Sequence, residues 1–379
     1  MEDITINIHD IYQQNLNFLL GAGASYGFLP TLELNLKADD GNTFTIETLA
    51  RYLDVSGSKK LKTMLFIYYY KKCIHDGLPS KPASPLPAPR QSVIDQYKSF
   101  YRTLLELLDK QDKKQKKCNI FTTNYDNCLE LAADQLIKHD SINFFLNDGT
   151  EGFQERRFHT KNYNNRLVRQ GIFDNHSDYV RQVNLLHPHG SVYWIKDDNG
   201  IQVDYAQTPY GIDLSVDTEE LLEKFSDIVE DKKKYISDLE ALDLSGLEHD
   251  VSFQEFWKAY DEMPIVNPTA WKFHETVFEE AYYQILRHLS FELERPNTVL
   301  ITFGFSFADE HILHLVQRSL SNPSLIVYVC CFNRASKDEL EKKFEGYNNV
   351  KFIVSDASFL DFSEFNKSVF TLSNKEPAV

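Results

Sequence analysis

The chain of 379 residues holds 42% hydrophobic and 25% charged residues, the balance of an ordinary soluble globular protein, and is long enough to bury a full core. Its formal net charge of −16 weighs against unspecific binding to a nucleic-acid backbone, which draws on clustered Lys and Arg. No apolar run approaches the ~20 residues that span a bilayer, and "MEDITINIHD" lacks the basic start and apolar core of a secretory signal, so a cytoplasmic location with no membrane partner is expected.

Asn17 to Leu20 reads as a short buried strand. It runs into "GAGAS", followed by Gly27 and Pro30. Gly21 and Gly23 let a ligand or another backbone come close, and backbone N–H groups with Ser25 can receive a pyrophosphate where a helix begins. The loop is neither a Walker loop nor the full Rossmann fingerprint, and a plain turn accounts for it equally well. "LPSKPASPLPAPR" (78–90) reads as an extended connector, and the basic run "KQDKKQKK" (110–117) as a solvated loop.

A second strand, Cys118 to Thr122, meets a helix-like segment, "YDNCLELAADQLIKH", through "FTTNYDN". Asn124 and Asp126 at that junction either cap the helix or hold sugar hydroxyls, an amide or a water. Arg156, Arg157, Lys161, Arg166 and Arg169 form a second basic cluster, again with a solvated loop as the simpler explanation. In "NLLHPHGSVYW", His189 precedes Gly190 and Ser191 and is the better candidate base. His187, closing an apolar run, reads as structural.

From about Asp204 to Arg295 the chain is acidic and helical, with apolar residues at three- and four-residue spacing in "WKFHETVFEEAYYQILRHLSFEL". Three further strands follow: Val299 to Gly304, Ile326 to Phe332 and Val350 to Val354. Helix-like "ADEHILHLVQRSL" and "SKDELEKKFEG" lie between them. Gly304 and Ser306 close one strand and Asn333 another. The five cysteines form no CxxC pair, and Cys118, Cys330 and Cys331 read as small core residues.

Repeated strand-then-helix units with continuous apolar strands specify an α/β fold, a Rossmann-like parallel sheet with helices on both faces plus a helical insertion. The expected division is 1–203 with 296–379 for the sheet domain and 204–295 for the acidic insertion. Ligands of such sheets bind beyond the C-terminal strand ends, where the Gly-, Asn- and His-bearing loops fall.

Taken together, "GAGAS", "TTNYD", "HGS", "GFS" and a late strand ending in Asn resemble the NAD-binding segments of the sirtuin family, in the same order. The resemblance implies that Ala22, Gly23 and Ser25 line the pyrophosphate of NAD, and that Gly21, Thr123 and Gly304 are among the residues that bind the cofactor. It also implies that Ser306 contacts phosphate and Asn333 the adenosine ribose. Asn124 and Asp126 would face the nicotinamide ribose and carboxamide, and His189 would act on ribose hydroxyls or an attacking water.

The four zinc-binding cysteines of deacylating sirtuins have no counterpart, so no structural zinc is expected. "GFLPTLELN" keeps only Gly27 and Pro30 of the family's Gly-Ile-Pro-Asp-Phe-Arg. Zinc-less sirtuin-like chains with helical insertions are similar to bacterial antiphage effectors that hydrolyse NAD, some paired with a HerA-type ATPase. The resemblance therefore implies an NAD glycohydrolase, and the aromatic-rich insertion is compatible with a homo-oligomer. A non-hydrolysing NAD or ADP-ribose sensor stands as the alternative, with protein deacylation and nuclease activity behind it.

Overall fold

A computed structural model describes residues 6, 8–78, 85–112, 116–171, 177–207, 209–244, 251–267, 277–355 and 358–372. Parts of the proline-rich connector, of the 110–117 basic run and of the "WKFHETV" segment lie outside these residues.

Seven strands form a wholly parallel sheet. They are β1 (Asn15–Leu20), β2 (Lys117–Thr122), β3 (Phe145–Asn147), β4 (Gln182–Leu186), β5 (Thr298–Phe303), β6 (Leu325–Cys330) and β7 (Val350–Ile353). Their spatial order is β7-β6-β5-β1-β2-β4-β3. The chain thus fills one side of β1 with β2, β4 and β3, then crosses to the other side with β5. In sheets of this kind such a reversal leaves a crevice beyond the strand ends.

The fold is α/β and Rossmann-like, as the strand-helix alternation requires. The strands are apolar because both faces are covered: all six residues of β5 are buried. One face packs against α1 (Ala88–Lys110) and α2 (Cys128–His139). Along α1 the residues Val93, Tyr97, Phe100, Leu104 and Leu108 recur at helical spacing, and Phe100 meets Phe18 of β1 edge-on at 5.0 Å.

The other face carries an unusual row. Asn17, Asn119, Asn184 and Asn147 stand in register on β1, β2, β4 and β3, and each is at most 3% exposed. Their amides link hand to hand: Asn119 donates to Asn17 at 2.8 Å, Asn184 to Asn119 at 2.9 Å and Asn147 to Asn184 at 3.1 Å. Buried amides are tolerated because the chain of bonds satisfies them. The helix α3 (Val277–Glu294) covers this face, with His288 over Phe121 and Ile285, Leu289 and Leu293 buried.

The chain divides into two compact units: residues 1–28, 84–189 and 280–379, which hold the sheet, and residues 29–83 with 190–279. This differs from the division expected at 203 and 296. The second unit also takes in 29–83, and α3 from Glu280 belongs with the sheet because its apolar stripe covers the asparagine row. Within the second unit, helices Lys59–Tyr69 and Val251–Asp261 meet through aromatic rings, Phe66 packing on Trp257 and Tyr260, which in turn pack on Phe256. All five cysteines are buried and unbonded. Among the described residues no helix is long and apolar enough to cross a membrane.

Candidate active site

The loops after β1 and β5 leave neighbouring strands, with Leu20 paired to Phe303, and cross at van der Waals limits. A Cβ on Gly21 would stand 2.5 Å from the Gly304 carbonyl oxygen, and one on Gly23 would stand 2.7 Å from the Gly304 Cα. Gly304 itself has φ +63°, and its Cβ would meet the Ala24 nitrogen at 2.5 Å. The close approach anticipated for this loop is therefore that of another backbone. The N–H groups of Gly21, Gly23 and Ala24 donate to Phe303, Gly304 and Gly21 carbonyls, so they are spent within the crossing and do not stand ready as a phosphate cradle. Ala22 and Gly23 remain half-exposed on its outer side.

Ser25 is 2% exposed and acts as a hub. Its Oγ donates to Asp126 Oδ2 at 2.7 Å and accepts from Asn124 Nδ2 at 3.0 Å, with the Tyr97 hydroxyl at 3.5 Å. The hydroxyl assigned to pyrophosphate by resemblance instead orients the two residues of the β2 loop. Asp126 divides its carboxylate, the second oxygen accepting the Cys128 N–H at 2.9 Å where α2 begins, so the capping and site-building readings both describe it. The Thr123 N–H donates to the Leu20 carbonyl at 3.1 Å and ties the β2 loop to β1. Asn124 Oδ1 has no partner among the described residues.

His189 follows β4, and Leu186 pairs with Phe121, so Asn124 and His189 each lie three residues past paired positions on adjacent strands. The imidazole Nε2 lies 2.7 Å from Asp309 Oδ2. Asp309 follows β5, three strand intervals away, about 14 Å at the usual spacing. The two loops therefore reach past the ends of β1 and β2 to meet. With Nε2 donating to the Asp309 carboxylate, Nδ1 is left without a partner among the described residues.

Asp309 is doubly used, since its Oδ1 caps α4 (Glu310–Ser319) by accepting the Ile312 N–H at 2.9 Å. Burial pushes its carboxyl up, but the His189 hydrogen bond and charge outweigh this and hold it below the usual carboxylate range. Tyr282 of α3 lies beside the pair, its ring 6.4 Å from that of His189. Burial, then the charges of Asp309 and Tyr125, push its hydroxyl up and keep it protonated.

His187 is 3% exposed and 3.3 Å from Glu130, a buried pair beneath the site. Ser306 is exposed, while its carbonyl and that of Phe307 are clamped by Lys343 at 3.1 and 2.9 Å. Asn333 lies three residues beyond the end of β6, and its Oδ1 caps α5 (Arg334–Lys343) by accepting the Ser336 N–H at 2.9 Å. Gly190, which follows His189, has φ +75° and packs on the Pro264 carbonyl.

Two functional candidates escape sequence reading. Asp309 is 120 residues from its imidazole. Arg90 is 7% exposed, lies over the Phe28 ring at 5.0 Å and donates to Asn127 at 2.7 Å, so α1 brings a guanidinium between the β1 and β2 loops. Arg90 closes the run that reads as an extended connector, and nothing in the sequence marks it.

No protein-family model and no curated protein matches the chain.

Proposed function

We propose that the sheet unit binds NAD across the β1/β5 crossing and hydrolyses its nicotinamide–ribose bond, releasing nicotinamide and ADP-ribose. One observation carries the proposal: Asn124 Oδ1 and His189 Nδ1, two unspent acceptors, stand beyond adjacent strand ends, held by Ser25 and Asp309. Ribose hydroxyls and an attacking water are hydrogen donors, and an acceptor pair suits them.

Nicotinamide leaves readily because departure neutralises the charge on its ring, and the sugar passes through an oxocarbenium-like state. Asn124 orients the ribose or the water. His189 takes the proton at Nδ1 as the water attacks, and Asp309 stabilises the imidazolium that forms, a contribution of general-base type worth about 10²–10⁴ in rate. Ala22, Gly23, Ser306 and Asn333 remain the proposed neighbours of the phosphates and the second ribose. The effector role in antiphage defence, a cytoplasmic setting, a homo-oligomer and a HerA-type ATPase partner rest on the resemblance to zinc-less sirtuin-like chains.

Chromatography of NAD incubated with the purified chain tests the reading: nicotinamide and ADP-ribose accumulate with the parent and fall sharply with Asn124→Ala and His189→Ala. Saturable NAD binding without nicotinamide release, alone and beside a partner ATPase, would favour the sensor instead.

A further inference from the structure

The opposite edge of the sheet, at the N-terminal strand ends, holds a cavity of about 240 Å³. Its lining places three cations, Lys117, Arg166 and Arg295, around a single carboxylate, Glu292. Glu292 is only 3% exposed and bonds Arg295 at 2.7 Å and Lys117 at 3.3 Å. One carboxylate among three cations leaves the lining with an excess of positive charge, in a chain whose net charge is −16.

The crowding has consequences for both signs. Burial, with the charges of Arg295 and Arg166 behind it, draws the Lys117 ammonium below its usual range even though Glu292 opposes the shift. Burial pushes Glu292 up, yet Lys117 and Arg295 hold it below the usual carboxylate range. A lining with this surplus of cations suits an anionic group.

A second observation sets the ligand's other half. Gln111 is 5% exposed and lines the same cavity; its Nε2 donates to the Gln14 carbonyl at 3.1 Å, while its Oε1 has no partner among the described residues. A buried amide carbonyl is satisfied by an O–H or N–H donor. Asn119 reaches the same cavity from the asparagine row.

We infer that this cavity is a second ligand site, taking a compact hydroxylated phosphate ester. The phosphate lies among Lys117, Arg166 and Arg295, and a hydroxyl donates to Gln111 Oε1. The inference is independent of the activity proposed for the other edge. Occupancy ties β1, β2 and the end of α3 together, so a bound ligand raises the unfolding temperature.

The test is titration calorimetry and thermal unfolding of the full chain with ribose 5-phosphate, ribose and inorganic phosphate. Saturable binding of ribose 5-phosphate is expected, weaker binding of phosphate and none of ribose. Arg166→Gln and Arg295→Gln, each checked for folding by circular dichroism, weaken it about tenfold or more, while Asn124→Ala binds as the parent does. In the unaltered protein, ribose 5-phosphate protects Arg166 and Arg295 from phenylglyoxal, read by mass spectrometry. Binding lost in Asn124→Ala but kept in the arginine variants would move the ligand to the other edge and overturn the inference. So would unprotected arginines, or no saturable binding.

Discussion

Asp309→Asn separates two functions of one side chain. The amide still caps α4, since Asn and Asp serve comparably at that position, but it no longer carries the charge facing His189. At a 2.7 Å separation the attraction between a full imidazolium and a carboxylate runs from about 6 kcal/mol at an effective dielectric of 20 to about 1.5 kcal/mol at that of water. Both side chains are 15% exposed, which places the pair between these limits, at about 2–4 kcal/mol. In the proposed mechanism His189 gains its proton as the water attacks, so the loss falls on the transition state. NAD turnover should drop by ~30- to ~1,000-fold at saturating NAD with little change in NAD affinity. The assay is nicotinamide release under saturating substrate, beside NAD binding by calorimetry. A folded Asp309→Asn protein that releases nicotinamide at the parent's rate would refute the role given to the His–Asp pair.

The same carboxylate yields a pH prediction. Its folded pKa lies below the ordinary value of 3.8, so the stability it adds is present above that value and lost as pH falls through the folded one. Denaturant unfolding should therefore find Asp309→Asn less stable than the parent at pH 7 and equal to it in strong acid; a constant gap would contradict this. Ser25→Ala removes the donor to Asp126 and the acceptor of Asn124, both buried. It should cost about 2–5 kcal/mol in thermal unfolding as well as activity, whereas an unchanged unfolding temperature would mean the hub is slack. Gly304→Ala forces a Cβ into the Ala24 backbone at positive φ and should cost about 2–4 kcal/mol; a neutral result would deny the tight crossing. Asn119→Leu strands the Asn17 carbonyl and should destabilise by about 1–3 kcal/mol by denaturant titration, with a stabilised variant as the contrary outcome.

Much of the fold is legible in the chain because double-sided burial writes continuous apolar strands, as in Val299 to Phe303 and Ile326 to Cys330. The strands that escaped reading did so for a physical reason. β3 is only three residues long, and β4 opens on Gln182 and carries Asn184, polar residues whose burial is repaid by the asparagine row on neighbouring strands. No local pattern announces such a row, since each member is satisfied by a residue far away in sequence. The role of 29–83 in the second unit was hidden likewise.

At the site, residue types at strand ends located Asn124, Asp126 and His189 on one edge. Their partners were not legible, because Ser25, Arg90 and Asp309 arrive from separate loops and helices. Glycine identity also marked the right positions for a different reason. Gly21, Gly23 and Gly304 are small so that two backbones can cross, and their N–H groups are already engaged.

The most direct test of the central claim is the yield of free nicotinamide from NAD with the purified chain, alone and with a partner ATPase, for the parent, Asn124→Ala and His189→Ala. Release by the parent that collapses in both variants is the predicted result. NAD left intact by the parent under every condition, or cleaved equally by all three proteins, would contradict it.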